Sequence, residues 1–173
     1  MAVIDFIEGG GEEFFQAAIL EGFEGVMAKR MDSAYRPGIR SRDWIKVKKE
    51  IELDLVIGGI TRGGGFREDT FRALLLGAYR GDELVYVGKV GTGFSREQLR
   101  ELRRSLHVRR DPPFATSPAM KAVTWVDPEM AARVKILNIT EDGRLRAPVF
   151  KGLREDKPPR ECTYEQIEET RMR

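Results

Sequence analysis

The first periodic stretch, Gly11-Glu12-Glu13-Phe14-Phe15-Gln16-Ala17-Ala18-Ile19-Leu20-Glu21-Gly22, predicts a short helix. Acids fall in its first turn, where the helix dipole favours them, and Gly22 is available for its C-terminal cap. The pattern then changes. Residues 24–30 and 44–49 predict two strands, and Pro37-Gly38 between them suits positions i+1 and i+2 of a type II turn. One helix and two strands do not close a core, so this segment reads as the end of a larger domain cut off upstream.

From about Ile51 the texture becomes all-β with one helix. Residues 53–60 predict a long strand in which Gly58-Gly59 permits a bend or bulge. Residues 71–79 and 83–90 predict two more, and the short Arg80-Gly81-Asp82 link makes them a hairpin. Ser95-Arg96-Glu97-Gln98 is a capping box opening a helix with Leu99, Leu102 and Leu106 on one stripe. Residues 123–126 and 132–139 complete five strands, and Thr163-Tyr164-Glu165-Gln166 starts a short terminal helix. A bent first strand, a three-strand meander, a helix and two further strands are the order of an OB-fold, a small Greek-key barrel used for nucleic acids.

Rare residues exclude several kinds of chemistry. With one cysteine (Cys162) there is no internal disulfide, and with one histidine (His107) no Cys/His zinc site is assembled within the chain. His107 lies in a basic run without an Asp or Glu to orient it, and reads as a surface residue near a helix end. What remains is charge stabilisation by Lys, Arg, Asp and Glu. No apolar run approaches membrane-spanning length and the opening residues do not form a signal peptide, so a cytoplasmic chain without a membrane partner is expected.

A net charge of only +2 hides an uneven distribution. Residues 1–23 carry five acids and no base, whereas residues 24–49 carry eight bases against three acids. Residues 86–110 hold seven bases against two acids, and residues 143–160 hold six against two. Separated basic clusters suggest a polyanion-binding surface assembled from distant stretches, and ordinary solvated faces are the alternative. The placement of the bases narrows this. In Trp44-Ile45-Lys46-Val47-Lys48, strand geometry sends Trp44, Lys46 and Lys48 to one face and the two aliphatic residues to the other. Two ammonium groups then project about 7 Å apart along the strand, a span that a phosphate chain fits. Each is worth on the order of 4 kcal/mol at about 4 Å from a phosphate in a partly screened site, before desolvation.

Three stretches occur in register: Glu24-Gly25-Val26-Met27-Ala28-Lys29, then Trp44-Ile45-Lys46-Val47-Lys48, then Arg146-Ala147-Pro148-Val149-Phe150-Lys151-Gly152-Leu153-Arg154-Glu155-Asp156-Lys157. They resemble the fourth, fifth and sixth signature motifs of covalent nucleotidyltransferases, specifically ATP-dependent DNA ligases of the bacterial and archaeal end-joining (ligase D) type. Gly88-Lys89-Val90-Gly91-Thr92-Gly93-Phe94 and the stretch from Tyr35 to Trp44 also look like that group. The resemblance implies a mainly β chain. Residues 1–50 would be the end of an α+β adenylation (nucleotidyltransferase) domain, 51–160 a five-stranded OB-fold barrel with one helix, and 161–173 a tail with a short helix. It implies ATP and Mg²⁺ or Mn²⁺ as cofactors, with Glu24 near the metal and Lys29 facing the nucleotide. Lys46 and Lys48 would contact the α-phosphate, and Arg154, Asp156 and Lys157 the β- and γ-phosphates. Nicked double-stranded DNA would be the substrate, in DNA repair and recombination. Apart from the resemblance, the bases Arg62, Arg67, Lys89, Arg103 and Arg104 of the OB-fold stretch are the candidates for contacts with DNA phosphates. Phosphoryl transfer asks mainly for positioning and charge neutralisation, which suits this residue set.

One departure matters. The family's nucleophile is the lysine of a Lys-x-Asp-Gly motif, and none of the nine lysines here stands in one. The chain therefore reads as the C-terminal portion of a ligase, inactive alone, whose partner is the missing N-terminal half in cis or in trans. Two other readings stay open: an OB-fold nucleic-acid-binding module without catalysis, and part of an RNA ligase or capping nucleotidyltransferase. The 151–157 stretch favours DNA ligase over the latter.

Overall fold

The structure, a computed structural model, describes residues 6–34, 36–39, 41–65 and 69–172. It divides into two compact units, Met1–Lys49 and Glu50–Arg173.

In the first unit, α1 (Gly11–Leu20) is followed by β1 (Gly25–Lys29) and β2 (Trp44–Lys48), which pair antiparallel. The main-chain N–H groups of Gly22 and Phe23 close back on Ile19 and Ala18, the paired bonds of a Schellman cap. The expected turn is present: Ile39 N–H donates to the Arg36 carbonyl across Pro37-Gly38, with Gly38 at φ 75°. None of the described residues of this unit is buried, and Leu20, Phe23 and Ile45 stand exposed. That is the physical content of a helix and two strands having too little apolar surface to enclose a core.

The second unit is built on β3 (Ile51–Arg62), β4 (Phe71–Arg80) and β5 (Glu83–Val90), an antiparallel meander. Next come α2 (Arg96–Ser105), β6 (Val123–Trp125) and β7 (Ala131–Ile136). A small hairpin of β8 (Asn138–Ile139) and β9 (Leu145–Arg146) precedes β10 (Val149–Leu153), and α3 (Glu165–Met172) ends the chain. The strand order is β10-β7-β3-β4-β5. β3 bends where its register slips at Gly58, so that its first half pairs with β7 and its second half with β6. A Cβ at Gly58 would lie 2.5 Å from Phe114 Cζ and 2.9 Å from Pro113 Cγ, so only glycine lets this loop pack onto the bend.

Bent first strand, meander, helix and returning strands make this an OB-fold with an open seam. No ladder joins β5 to β10, but Phe150 N–H donates to the Thr92 carbonyl and Thr92 Oγ1 donates to the Pro148 carbonyl. Three strands, β8, β9 and β10, exceed the sequence expectation. Residues 132–139 split into β7 and β8, and β10 forms within the stretch that the sequence shows only as a motif. The interior is filled by Leu55, Ile57, Leu74, Leu76, Val87 and their neighbours. Leu99, Leu102 and Leu106 of the α2 stripe join them, with the Ser95–Gln98 capping box formed in both directions. The terminal helix belongs to the same core through Tyr164 and Ile167. Among the described residues no helix is long and apolar enough to cross a membrane.

Candidate phosphate-binding site

The ribbon of the first unit presents its cations on one face. Lys29 lies opposite Trp44, Met27 opposite Lys46 and Gly25 opposite Lys48, so Lys29, Trp44, Lys46 and Lys48 share a side. The indole N–H of Trp44 donates to Ser33 Oγ at 3.0 Å, and Ser33 in turn donates to the Arg30 carbonyl at 2.6 Å. This turn fixes the ring, and the Lys29 ammonium stands over it at 4.4 Å. Lys48 donates to Glu24 Oε2 at 3.2 Å. Lys46 makes no ion pair among the described residues and is exposed. The Glu24-Gly25 pairing has a steric reason. Gly25 sits at φ 150°, and a Cβ there would fall 2.1 Å from the Val47 carbonyl oxygen.

In the second unit the 154–157 stretch folds over the edge of the barrel. Arg154 N–H donates to the Ala131 carbonyl at 2.8 Å, continuing the β10–β7 pairing by one bond. Lys157 N–H donates to the Arg154 carbonyl at 3.2 Å, a turn that returns Lys157 above Arg154. Both side chains reach Oδ2 of Asp54 on β3, Arg154 Nη1 at 2.7 Å and Lys157 Nζ at 3.3 Å. Arg133, the cross-strand neighbour of Asp54, forks onto the same carboxylate at 3.0 and 3.2 Å. The other edge of the Arg154 guanidinium lies on Asp156, at 2.8 and 2.7 Å. This fork, with Asp54 adding to it, raises the Arg154 pKa further. It also lowers the Asp156 carboxyl to about 2. A groove of about 430 Å³ runs beside the cluster, lined by Arg154, Asp156, Lys157 and Glu129 among others.

The sequence points to Arg154, Asp156 and Lys157 but not to Asp54 or Arg133. The available signal is an acid inside the apolar run Leu53-Asp54-Leu55-Val56-Ile57. In a strand buried on both faces an acid requires a cation beside it, but which cation depends on register. Gln166 likewise stands out in the sequence only as a capping residue. Its side chain accepts from Asp54 N–H at 3.1 Å and donates to the Asp54 carbonyl at 2.8 Å, occupying a stretch of strand edge that β4 does not reach.

The candidates for DNA contact are spread over the barrel unit. Arg62 ends β3, Lys89 lies on β5, and Arg103 and Arg104 occupy the last turn of α2. None of these four makes an ion pair among the described residues. Arg67 lies outside the described residues. His107 is on the surface, as expected, and finds a partner that the local sequence does not show: its Nδ1 stands 2.9 Å from Glu129 Oε2, which raises its pKa. Cys162 is buried in the barrel, and burial pushes its thiol up to about 11.

Both halves of this geometry match known families. Residues 11–48 match the family described as ATP dependent DNA ligase domain. Residues 67–157, more than half of the chain, match the ATP dependent DNA ligase C terminal region. The chain belongs to the ATP-dependent DNA ligase family. Among its relatives, the multifunctional non-homologous end joining protein LigD of Mycolicibacterium smegmatis is 41% identical over 170 residues, 95% of this chain and 22% of that protein. A DNA ligase of Thermococcus fumicolans is 40% identical over 169 residues, 91% of this chain and 29% of that protein. The chain thus spans less than a third of these curated relatives. The crystal structure of the ligase domain from M. tuberculosis LigD has a TM-score of 0.64 at 37% identity, covering 90% of this chain and 52% of that one. A mycobacterial DNA ligase D solved in complex with ATP and MES gives a TM-score of 0.61 at 37% identity, covering 90% of this chain and 52% of that one.

Proposed function

We propose that this chain is the C-terminal portion of an ATP-dependent DNA ligase that seals nicks in double-stranded DNA during repair. Residues 1–50 are the end of its adenylation domain, 51–160 its OB-fold, and 161–173 the extension that completes the barrel core. The observation that carries the reading is the convergence of Arg154 and Lys157 on one oxygen of Asp54 beside an open groove. Two cations so paired, with a guanidinium able to fork onto phosphate oxygens, form a grip for the β- and γ-phosphates of ATP. Asp156 acts on those phosphates through Arg154, holding the guanidinium edge that a phosphate would take.

On the ribbon, Lys46 and Lys48 neutralise the α-phosphate and Lys29 faces the nucleotide from its place over Trp44. Glu24 fits a divalent cation. Mg²⁺ or Mn²⁺ keeps waters and takes only one or two carboxylates together with substrate phosphates, so one acid on this ribbon is enough. Among the described residues no group of three or more His, Cys, Asp or Glu is assembled. Bound there, the ion would supply charge stabilisation to the phosphates. In the structure the Lys48 ammonium stands at that carboxylate. Arg62, Arg67, Lys89, Arg103 and Arg104 contact the DNA backbone.

The nucleophilic lysine is supplied from outside this sequence, since no Lys-x-Asp-Gly occurs in it. The chain alone is therefore expected neither to self-adenylate nor to seal nicks. Adding the lysine-bearing half, in cis or in trans, is expected to give sealing of a nicked duplex with ATP and Mg²⁺. Lys46→Ala and Arg154→Ala are each expected to abolish that sealing. A covalent adenylate on the chain alone, or full sealing by either variant, would refute the reading.

A further inference from the structure

Asp54 is the only charged residue that is buried among the described residues, with about a tenth of its side chain exposed. A buried carboxylate without partners is strongly destabilising, so its presence in the central strand of the barrel requires cations. One would suffice. Arg133, directly across the ladder, already engages both oxygens in a fork. Arg154 and Lys157 are therefore additional, and they are the two cations that line the groove.

Their arrangement is what a phosphate ligand requires. Long cationic side chains lose rotamer freedom when they close on an anion, and chains already held in place lose less. Asp54 itself is held, because Gln166 of α3 bonds both its main-chain N–H and its carbonyl. Arg154 has one guanidinium edge committed to Asp156, an exposed carboxylate that mimics the geometry of two phosphate oxygens. Resting on the reading of Arg154 and Lys157 as phosphate ligands, we propose that Asp54 is the positioning residue of the grip. It holds both cations on one buried oxygen so that they meet a polyphosphate as a preformed pair, while Asp156 fills the remaining edge of Arg154 until phosphate displaces it.

Inorganic pyrophosphate titrated into the full chain tests this, with the Arg Nε–Hε signals followed by NMR. Asp54→Asn removes a negative charge, and by charge alone it would tighten anion binding. Loss of positioning acts in the opposite direction and is expected to weaken pyrophosphate by at least about tenfold. Leu55→Ala, a core truncation in the same strand away from the cations, is expected to keep the wild-type affinity while the chain is folded. Unchanged or tighter binding by Asp54→Asn, or an equal loss in Leu55→Ala, overturns the role of Asp54. The phosphate reading fails separately, and takes the proposal with it, if wild type does not bind pyrophosphate or if Arg154→Ala binds it as well as wild type. Should Asp54→Asn fail to fold, the unliganded wild-type chain decides. A guanidinium held by two carboxylates gives distinct, slowly exchanging Nη signals for Arg154, and averaged signals from free rotation overturn the proposal.

Discussion

Arg154 and Asp156 lie two residues apart on an exposed turn, where ion pairs normally contribute little because water and salt screen them. Their pairing is nonetheless a two-point fork, and it lowers the Asp156 carboxyl to about 2, chiefly through the Arg154 hydrogen bonds. The sign of the linkage follows. The folded-state value lies below the ordinary 3.8, so the pair's small stabilisation is complete above that value and is lost as pH falls towards 2. Carbon NMR of the Asp156 carboxyl is expected to show a midpoint near 2, moving back towards the ordinary range in Arg154→Ala. A midpoint unmoved by that substitution would show that the fork does not form in solution. At this scale the sequence reveals which residue types gather, and much less of what each one touches. The face shared by Trp44, Lys46 and Lys48 is legible because strand periodicity fixes it within five residues. The partners of Asp54 are not, because they come from β7 and from the turn after β10, and only the register of the folded sheet brings them together.

Among the elements, β3 organises the barrel, and its bend is what lets one strand pair with β7 and β6 in turn along one edge. The double glycine announces this bend in the sequence. The ring packed on it does not show there, since Phe114 belongs to the long connection after α2 and carries no periodic signal. Phe114 also stands close to Gly77 on β4, where a Cβ would lie 2.8 Å from its ring. One aromatic side chain thus lies over glycines of two adjacent strands. Gly58→Ala is expected to lower unfolding stability by about 1–3 kcal/mol, the usual cost of overpacking a close-packed site. Urea denaturation of the pure chain measures it, and a substitution without effect would mean that Phe114 leaves the bend easily. The strands that the sequence does not announce are short or interrupted. β8 and β9 have two residues each, and β10 carries a register shift at Gly152, so neither alternation nor length marks them out.

For the whole molecule, the number of basic clusters says less than which bases are already neutralised. In the 143–160 cluster, Arg154 and Lys157 lie on Asp54, Arg160 reaches Asp82 and Arg144 is near Asp142. In the 86–110 cluster, Lys89, Arg103 and Arg104 make no ion pair among the described residues. Two stretches of similar net charge are therefore different surfaces, one organised around carboxylates brought to it from other elements and one presenting its cations to a long-range field. On the proposed function, DNA binding draws on the second. When a cation that neutralises a DNA phosphate is removed, binding releases about one counterion fewer, and the slope of log affinity against log salt falls by roughly one unit. Fluorescence anisotropy of a nicked duplex across a salt series is expected to show that reduction for Arg103→Ala, Arg104→Ala and Lys89→Ala. Arg154→Ala and Lys46→Ala, at residues proposed to hold the nucleotide, are expected to leave the slope near the wild-type value. If Arg154→Ala flattened the slope as much as Arg104→Ala, the division between a nucleotide grip and a DNA-facing surface would be wrong, and the chain would be better described as one undivided polyanion-binding module.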